Sequence, residues 1–185
     1  MGRNEVYLSK SRIFRKYFLN KGFKKMIFIV LGTQKFQMDR LLKEIDILIE
    51  ANKIKEDVFA QIGNSNYTPR NYNYERFLTP EYFEDIIKEC RILITHSGVG
   101  TIMKGIKYDK KIIVYPRLEK YKEHVDNHQC EIAEAFANQN FVLYCKEEDS
   151  LEKLIEKCDI HQFSKYVSNK DKIINRIEDF IDNML

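Results

Sequence analysis

The fold of this chain is decided by the stretch Ile92-Leu93-Ile94-Thr95-His96-Ser97-Gly98-Val99-Gly100-Thr101. Its apolar start predicts a buried strand that ends at Thr95, and apolar residues at helical spacing resume at Ile102. A strand–glycine–helix unit of this kind directs free backbone N–H groups at the helix N-terminus toward an anion such as a diphosphate. Many α/β loops carry glycine for turn geometry alone, and the motif by itself leaves that alternative open.

Apolar strands alternate with amphipathic helices on both sides of this stretch. The predicted strands are 26–31, 58–62, 74–78, 91–95, 111–115 and 141–144. The predicted helices are 37–51, a segment that starts at Pro80, 102–108, 125–138, 151–158 and 170–184. This alternation predicts an α/β fold with a doubly wound, mostly parallel sheet. Ligands of such sheets bind beyond the carboxyl ends of the strands, so the loops at 32–34, 96–101 and after Pro116 are expected to converge on one edge.

Composition places the chain among soluble globular proteins. With 185 residues, 44% of them apolar and 32% charged, residues 26–185 are expected to form a single domain. No apolar run is long enough to span a bilayer, and nothing resembles a signal peptide. The four cysteines show no CxxC pairing, so we expect reduced thiols and neither a disulfide nor a metal site: Cys90, Cys130, Cys145 and Cys158.

The net charge of +3 conceals a basic N-terminal segment. Residues 1–25 contain a single acid, Glu5, and eight basic side chains: Arg3, Lys10, Arg12, Arg15, Lys16, Lys21, Lys24 and Lys25. The remainder is mildly acidic, which argues against a nucleic-acid-binding domain. We expect 1–25 to be a disordered extension, or to precede a true start at Met26. The alternative is a short basic helix on an anionic membrane surface.

Three segments together carry a family resemblance. The first starts at Met26 and reads Met-Ile-Phe-Ile-Val-Leu-Gly-Thr-Gln-Lys-Phe-Gln-Met-Asp-Arg-Leu; the second starts at Ile94 and reads Ile-Thr-His-Ser-Gly-Val-Gly-Thr-Ile-Met. The third joins Ile-Val-Tyr-Pro-Arg, from Ile113, to Glu-His-Val-Asp-Asn-His-Gln, from Glu123. In this order they resemble the C-terminal, nucleotide-sugar-binding half of glycosyltransferase family 28, over about 26–145. The chain looks most similar to small bacterial exopolysaccharide and capsule transferase subunits. These in turn resemble the soluble catalytic subunit of the eukaryotic dolichol-linked N-acetylglucosaminyltransferase.

The resemblance implies one Rossmann-like half of a GT-B glycosyltransferase, with the acceptor-binding half in a separate, membrane-anchored subunit. The chain would then be the donor-binding catalytic subunit of a two-component inverting enzyme. It would move a sugar from a UDP-sugar to a lipid-linked glycan acceptor in exopolysaccharide or capsule synthesis, in the cytoplasm at the inner face of the plasma membrane. One alternative is a noncatalytic nucleotide-sugar-binding or regulatory subunit of such a complex. Another is an unrelated flavodoxin-like signalling domain, which leaves residues 127–129 unexplained.

The resemblance also implies the site residues. The expected donor-binding residues are Gly32, Thr33, Gln34, Ser97, Gly98, Val99, Gly100, Thr101, Arg117, Asn127, His128 and Gln129. The two glycine loops would hold the phosphates, Arg117 would meet the diphosphate, and 127–129 would recognise the sugar. Asp126 or Asn127 could equally cap a helix. His96 stands at the end of a strand, where its side chain would face the cleft, and it is the candidate general base. Two alternatives stay open: the partner could supply the base, and His96 could hydrogen-bond nearby backbone.

Neither a cofactor nor a metal ion is expected beside the UDP-sugar substrate. The chain has no Asp-x-Asp motif, and its glycine loop lacks the Gly-Lys-Ser/Thr of a P-loop. One position departs from the family pattern: Lys104 stands where the family commonly places a Glu that binds the ribose hydroxyls. A lysine cannot accept those hydrogen bonds, so another group holds the ribose or donor binding is weakened.

Overall fold

A computed structural model describes residues 26–167, and the predicted extension 1–25 and helix 170–184 lie outside them. The strands are β1 (Ile27–Val30), β2 (Val58–Gln61), β3 (Asn73–Glu75), β4 (Ile92–Thr95), β5 (Lys111–Val114) and β6 (Leu143–Tyr144). They form one sheet in the order β3-β2-β1-β4-β5-β6, and every neighbouring pair is parallel. The predicted parallel sheet is therefore confirmed.

Helices connect the strands. They are α1 (Asp39–Glu50), α2 (Pro80–Glu89), α3 (Val99–Lys107), α4 (His128–Asn138) and α5 (Leu151–Lys157), with a short 3₁₀ helix at Glu119–Tyr121. Local sequence explains two of the starts. The Thr79 side chain accepts the N–H of Tyr82 ahead of a proline at the first helical position, and the Ser150 side chain accepts the N–H of Lys153. Among the described helices, none is long and apolar enough to cross a membrane.

The sheet is covered on both faces, which explains why its central strand β1 is apolar at every position. In β1, Ile27 and Ile29 pack into one core cluster, and Phe28 and Val30 pack into the other. The first cluster takes its helical side chains from α1 and α5: Leu41, Leu42, Ile45, Leu151 and Ile155. The second takes them from α2, α3 and α4: Tyr82, Ile86, Ile87, Ile102, Ile106 and Ala133. The sheet is thus doubly wound, as the sequence predicts.

Several element boundaries differ from the predicted ones, among them that of β3, which spans Asn73–Glu75 rather than 74–78. Helix α3 begins at Val99 rather than Ile102, because Gly98 already accepts the N–H groups of Thr101 and Ile102. Helix α4 begins at His128 rather than at residue 125, since the preceding segment is tied into a loop by its own polar side chains. Strand β6 is shorter than predicted, because its pairing with β5 covers two residues only.

The strand order places a switch point between β1 and β4. The chain winds outward from β1 to β2 and β3 on one side, and from β4 to β5 and β6 on the other. At such a point the loops that follow the two central strands diverge and leave a crevice. Val30 pairs with Thr95 in the register, so the loops after β1 and β4 emerge side by side.

Helix α3 packs closely on the sheet at Gly105. A Cβ atom there would lie 2.7 Å from Leu93 Cδ2 and 2.8 Å from Ile112 Cδ1. We expect Gly105→Ala to lower the free energy of unfolding by about 1–3 kcal/mol, because the core must shift to admit the methyl group. Gly100→Ala in the same helix is the matched control, since a Cβ at Gly100 meets nothing within 4 Å. Urea denaturation checks both, and equal midpoints for the two variants would contradict the close packing.

Candidate functional site

Three loops meet at the carboxyl edge of the sheet, as predicted. The first loop (residues 31–38) follows β1, the second loop (96–98) follows β4, and the third loop (115–127) follows β5. Arg117 of the third loop donates to Leu31 O of the first, and His96 of the second packs on Gly32 of the first. The predicted donor-binding residues of all three loops are thereby brought together.

The imidazole of His96 fills the space between the first and second loops. A Cβ at Gly32 would lie 2.7 Å from His96 Cε1, and a Cβ at Gly98 would lie 2.6 Å from His96 Nε2. Gly32 also has φ +74°, a conformation that other residues rarely adopt. The position of this ring therefore requires glycine at both positions, independently of any role in donor binding.

His96 is neutral in the folded protein at physiological pH. Only 7% of the residue is exposed, and its Nδ1 lies 3.4 Å from both Val30 O and Thr95 Oγ1. Burial, reinforced by the positive charge of Arg117, lowers the pKa of His96 to about 4. The ring is enclosed rather than presented to the cleft in the described structure, and its predicted catalytic role stays a prediction.

Arg117 is buried beneath the first loop. Its side chain is 1% exposed, and Nη2 donates to Leu31 O at 2.6 Å and to Phe36 O at 3.3 Å, while Nη1 reaches Gln34 Oε1 at 3.5 Å. Burial lowers the pKa of Arg117, and among the described residues its Nε has no hydrogen-bond partner. The guanidinium therefore positions the first loop and adds a positive charge behind it. Its predicted contact with a diphosphate stays a prediction.

The third loop is held by a buried carboxylate that the sequence analysis did not single out for a role. Glu123 is 0% exposed, forms an ion pair with Arg40 at 3.0 Å and accepts the N–H of Leu118 at 3.1 Å. The Arg40 guanidinium lies over the rings of Tyr115 and Tyr121, at 4.4 and 4.9 Å from their centroids. Nothing in the sequence pattern of α1 marks Arg40, because its partners come from a distant segment.

Two of the three predicted sugar-recognising residues shape the third loop. Asn127 Oδ1 accepts the N–H of Glu119 at 3.0 Å, and the buried Gln129 Oε1 accepts the N–H of Arg117 at 3.1 Å. The N-cap residue of α4 is Asn127, whose side chain makes no cap bond. Asp126, the other residue that the sequence allowed as a cap, lies one position earlier, and its Oδ1 accepts the N–H of His128 at 3.2 Å. The side chain of His128 is 46% exposed. The sugar-binding assignment of all three stays a prediction.

The N-terminus of α3 is open to solvent and suited to an anion. The N–H groups of Thr101 and Ile102 bond to Gly98 O, whereas the helix geometry leaves those of Val99 and Gly100 without a partner in the helix. Gly100 is exposed, with open space where a side chain would stand. Among the described residues, the buried hydroxyl of Ser97 just before this turn has no hydrogen-bond partner. Backbone N–H groups, the helix dipole and the nearby Arg117 charge can together hold a phosphate.

Two further features of this region are Lys104 and a groove beside the third loop. Lys104 is exposed on α3, with its Nζ 5.1 Å from the centroid of the Phe83 ring. A groove of about 710 Å³ lies along α1 and the third loop. None of the predicted donor-binding residues lines it; its walls include Gln37, Arg40 and Tyr121. The anion cradle is thus an open edge rather than an enclosed cavity.

Comparison with known proteins gives the family. The model of the glycosyltransferase family 28 C-terminal domain matches residues 26–184. The chain belongs to this family. It is 28% identical over 89 residues to the UDP-N-acetylglucosamine transferase subunit ALG13 of Candida albicans, which covers 48% of the chain and 29% of that protein. It is also 28% identical over 144 residues to the UDP-N-acetylglucosamine–N-acetylmuramyl-(pentapeptide) pyrophosphoryl-undecaprenol N-acetylglucosamine transferase of Prochlorococcus marinus, covering 67% of the chain and 39% of the relative.

Solved structures agree on the fold. The glycosyltransferase of kitacinnamycin has a TM-score of 0.55 at 16% identity, over 75% of this chain and 34% of its own. MurG of Acinetobacter baumannii has a TM-score of 0.50 at 14% identity, over 78% of this chain and 43% of its own. The predicted Rossmann-like α/β class is confirmed. The chain spans between 29% and 43% of the length of these relatives.

The buried neutral His96 makes stability depend on pH. Its pKa of about 4 in the folded state lies below its ordinary value of 6.5, so the unfolded chain binds the proton more tightly. The contribution of neutral His96 to the free energy of unfolding is fully present above pH 6.5 and is lost as the pH falls toward 4. We expect wild type to lose about 2 kcal/mol of unfolding free energy between pH 7.5 and pH 5 through this residue.

Urea denaturation of wild type and His96→Gln at the two pH values checks this. The difference between the two proteins isolates His96, because the remaining histidines titrate in both. An equal loss of stability in wild type and variant would contradict the assignment of a buried, neutral imidazole.

Removal of the Arg117 side chain should destabilise the first loop. In Arg117→Met the carbonyl oxygens of Leu31 and Phe36 lose a donor, and we expect a cost of about 2–4 kcal/mol in unfolding free energy. Arg76→Met is the matched control, because Arg76 also donates to two carbonyls, those of Gly63 and Ser65, but is exposed. Water can replace the hydrogen bonds of the exposed Arg76 side chain, so we expect Arg76→Met to lower the free energy of unfolding by less than about 1 kcal/mol. Urea denaturation distinguishes the two, and a similar cost for both variants would contradict the positioning role of Arg117.

Proposed function

We propose that this chain is the donor-binding subunit of a two-component inverting glycosyltransferase. It binds a UDP-sugar at the carboxyl edge of its sheet, and a membrane-anchored partner presents a lipid-linked glycan acceptor. The setting is bacterial exopolysaccharide or capsule synthesis, with the chain in the cytoplasm at the inner face of the plasma membrane. Membership of glycosyltransferase family 28 supports the reaction class.

The anion cradle at α3 is the observation that supports donor binding. The exposed N–H groups of Val99 and Gly100 begin a helix that is backed by the buried cation of Arg117. A diphosphate carries the charge that this arrangement stabilises, and the same groups would stabilise the departing UDP without a metal ion. The names of the two relatives agree with a UDP-sugar donor, since both describe N-acetylglucosamine transferases.

The partner supplies the rest of the site under this proposal. The chain covers 29% and 39% of the two curated relatives, and the name of the first calls that protein a subunit. His96 is enclosed between two glycines. We therefore place the general base for the acceptor hydroxyl on the partner and give His96 the task of spacing the two loops that approach the donor.

Lys104 favours a second candidate, a noncatalytic nucleotide-sugar-binding or regulatory subunit. Its ammonium group offers only donors, so it cannot accept hydrogen bonds from ribose hydroxyls. A subunit that has lost this contact could still bind a diphosphate and stabilise its partner. Sugar transfer by the reconstituted pair that is lost in Gly100→Asp, with the fold intact, would exclude this candidate.

Calorimetric titration of the isolated chain with UDP, UMP and ADP tests the donor site. Gly100→Asp places a carboxylate at the open first turn of α3, where the fold has room for it. We expect UDP to bind more tightly than UMP or ADP, and Gly100→Asp to weaken UDP at least about 10-fold, or about 1.4 kcal/mol. Gly100→Ala is the matched control and should bind UDP as wild type does. No UDP binding by the folded chain, or unchanged binding in Gly100→Asp, would overturn the proposed donor site.

A further inference from the structure

Three metal-ligating side chains converge where the third loop enters α4. His124 Nδ1 lies 3.1 Å from Asp126 Oδ1, and His128 Nδ1 contacts the same oxygen atom. One ligand atom from each of the three residues lies within 4.8 Å of the other two. The two imidazole rings meet edge to face with their centroids 4.7 Å apart. Side chains two residues apart along the chain thus face a single point.

The fold holds this cluster in place. Asp126 Oδ1 also accepts the backbone N–H of His128, which fixes the carboxylate against the start of α4. The side chain of His124 is 8% exposed, and its ring lies 4.9 Å from that of Phe36 in the first loop. Just ahead of the cluster, Lys122 has a left-handed φ of 57°, which turns the chain toward it. Asp126 is therefore held by the backbone of His128, and His124 by a contact outside the cluster.

The donor set is that of a transition metal rather than of magnesium or calcium. Two imidazole nitrogens and one carboxylate oxygen suit zinc, whose bonds of about 2.0 Å place tetrahedral ligand atoms roughly 3.3 Å apart. The 3.1 Å separation of His124 Nδ1 and Asp126 Oδ1 is close to that spacing. The side chains of Asp126 and His128 are 54% and 46% exposed, which gives an ion a path from solvent.

We propose that His124, Asp126 and His128 bind one divalent transition-metal ion of the zinc class. Three protein ligands leave a fourth coordination position open to an external ligand. Because His124 packs on the first loop and His128 begins α4, the ion would tie these two parts of the edge together. The site revises the expectation from the sequence that no metal is bound, and it shares His128 with the segment predicted to recognise the sugar.

Titration of the chelator-treated full chain with Zn²⁺ by calorimetry, and with Co²⁺ by visible absorption, tests the proposal. We expect one equivalent of Zn²⁺ and the intense visible bands of low-coordinate Co²⁺. His128→Ala and Asp126→Asn should each weaken Zn²⁺ binding at least about 10- to 100-fold. Mutation of a residue that only hydrogen-bonds to a metal ligand already lowers metal affinity by this factor. Both side chains are largely exposed, so the variants should fold, and circular dichroism checks this.

Two control variants exclude adventitious binding. His161→Ala removes a histidine that bonds to Asn140 outside the cluster, and Cys130→Ala removes the most accessible of the four thiols. Both should bind Zn²⁺ as wild type does. The absence of stoichiometric Zn²⁺ binding by wild type would overturn the proposal, as would unchanged binding in His128→Ala and Asp126→Asn. UDP titration of the same samples reports separately on the donor site, so the two proposals fail independently.

Discussion

The close approach of His96 to Gly32 and Gly98 is the constraint on which the candidate site depends. The two loops follow β1 and β4, the neighbouring strands at the switch point of the sheet, and the imidazole fills the space that separates them. A side chain on either glycine would collide with the ring, so the loops could not keep their present separation. The crevice at this edge is thus set by a packing contact, and the open N-terminus of α3 lies directly beside it.

The positive charge of Arg117 is buried behind the first loop. The Arg117 guanidinium donates hydrogen bonds to carbonyl oxygens of the first loop, while the Glu123 carboxylate forms an ion pair with Arg40. Among residues 26–167, no carboxylate forms an ion pair with Arg117, so its charge acts on whatever occupies the loop above it. A buried, weakly compensated cation behind free N–H groups is an arrangement that favours an anionic ligand.

The third loop joins the two proposed ligand sites. The side chains of Asn127 and Gln129 accept backbone N–H groups of this loop. The metal-ligating cluster of His124, Asp126 and His128 belongs to the same segment of the chain. Residues that resemble a sugar-recognising motif therefore also shape the edge on which a donor would sit. Substitutions in this segment change structure and recognition together, which is why tests of either site need exposed positions such as Gly100 and His128.

Much of the fold follows from the sequence alone. Residues 26–31 are apolar throughout because both faces of β1 are covered, and helical spacing in α1 and α2 reports the side that packs on the sheet. The three loops that meet at one edge could also be predicted, since the carboxyl ends of parallel strands share an edge. The boundaries of α3 and α4 could not, because hydrogen bonds to Gly98 O and Asp126 Oδ1 fix them locally.

Only the tertiary structure decided what the side chains at that edge do. Sequence identified His96 and Arg117 as candidates to meet a substrate, and both are buried, where one spaces two loops and the other binds carbonyl oxygens. It gave no reason to pair Arg40 with Glu123, or to expect the side chains of His124, Asp126 and His128 to converge. Periodicity records which face of an element is apolar, whereas the orientation of a loop side chain depends on partners that are distant in sequence.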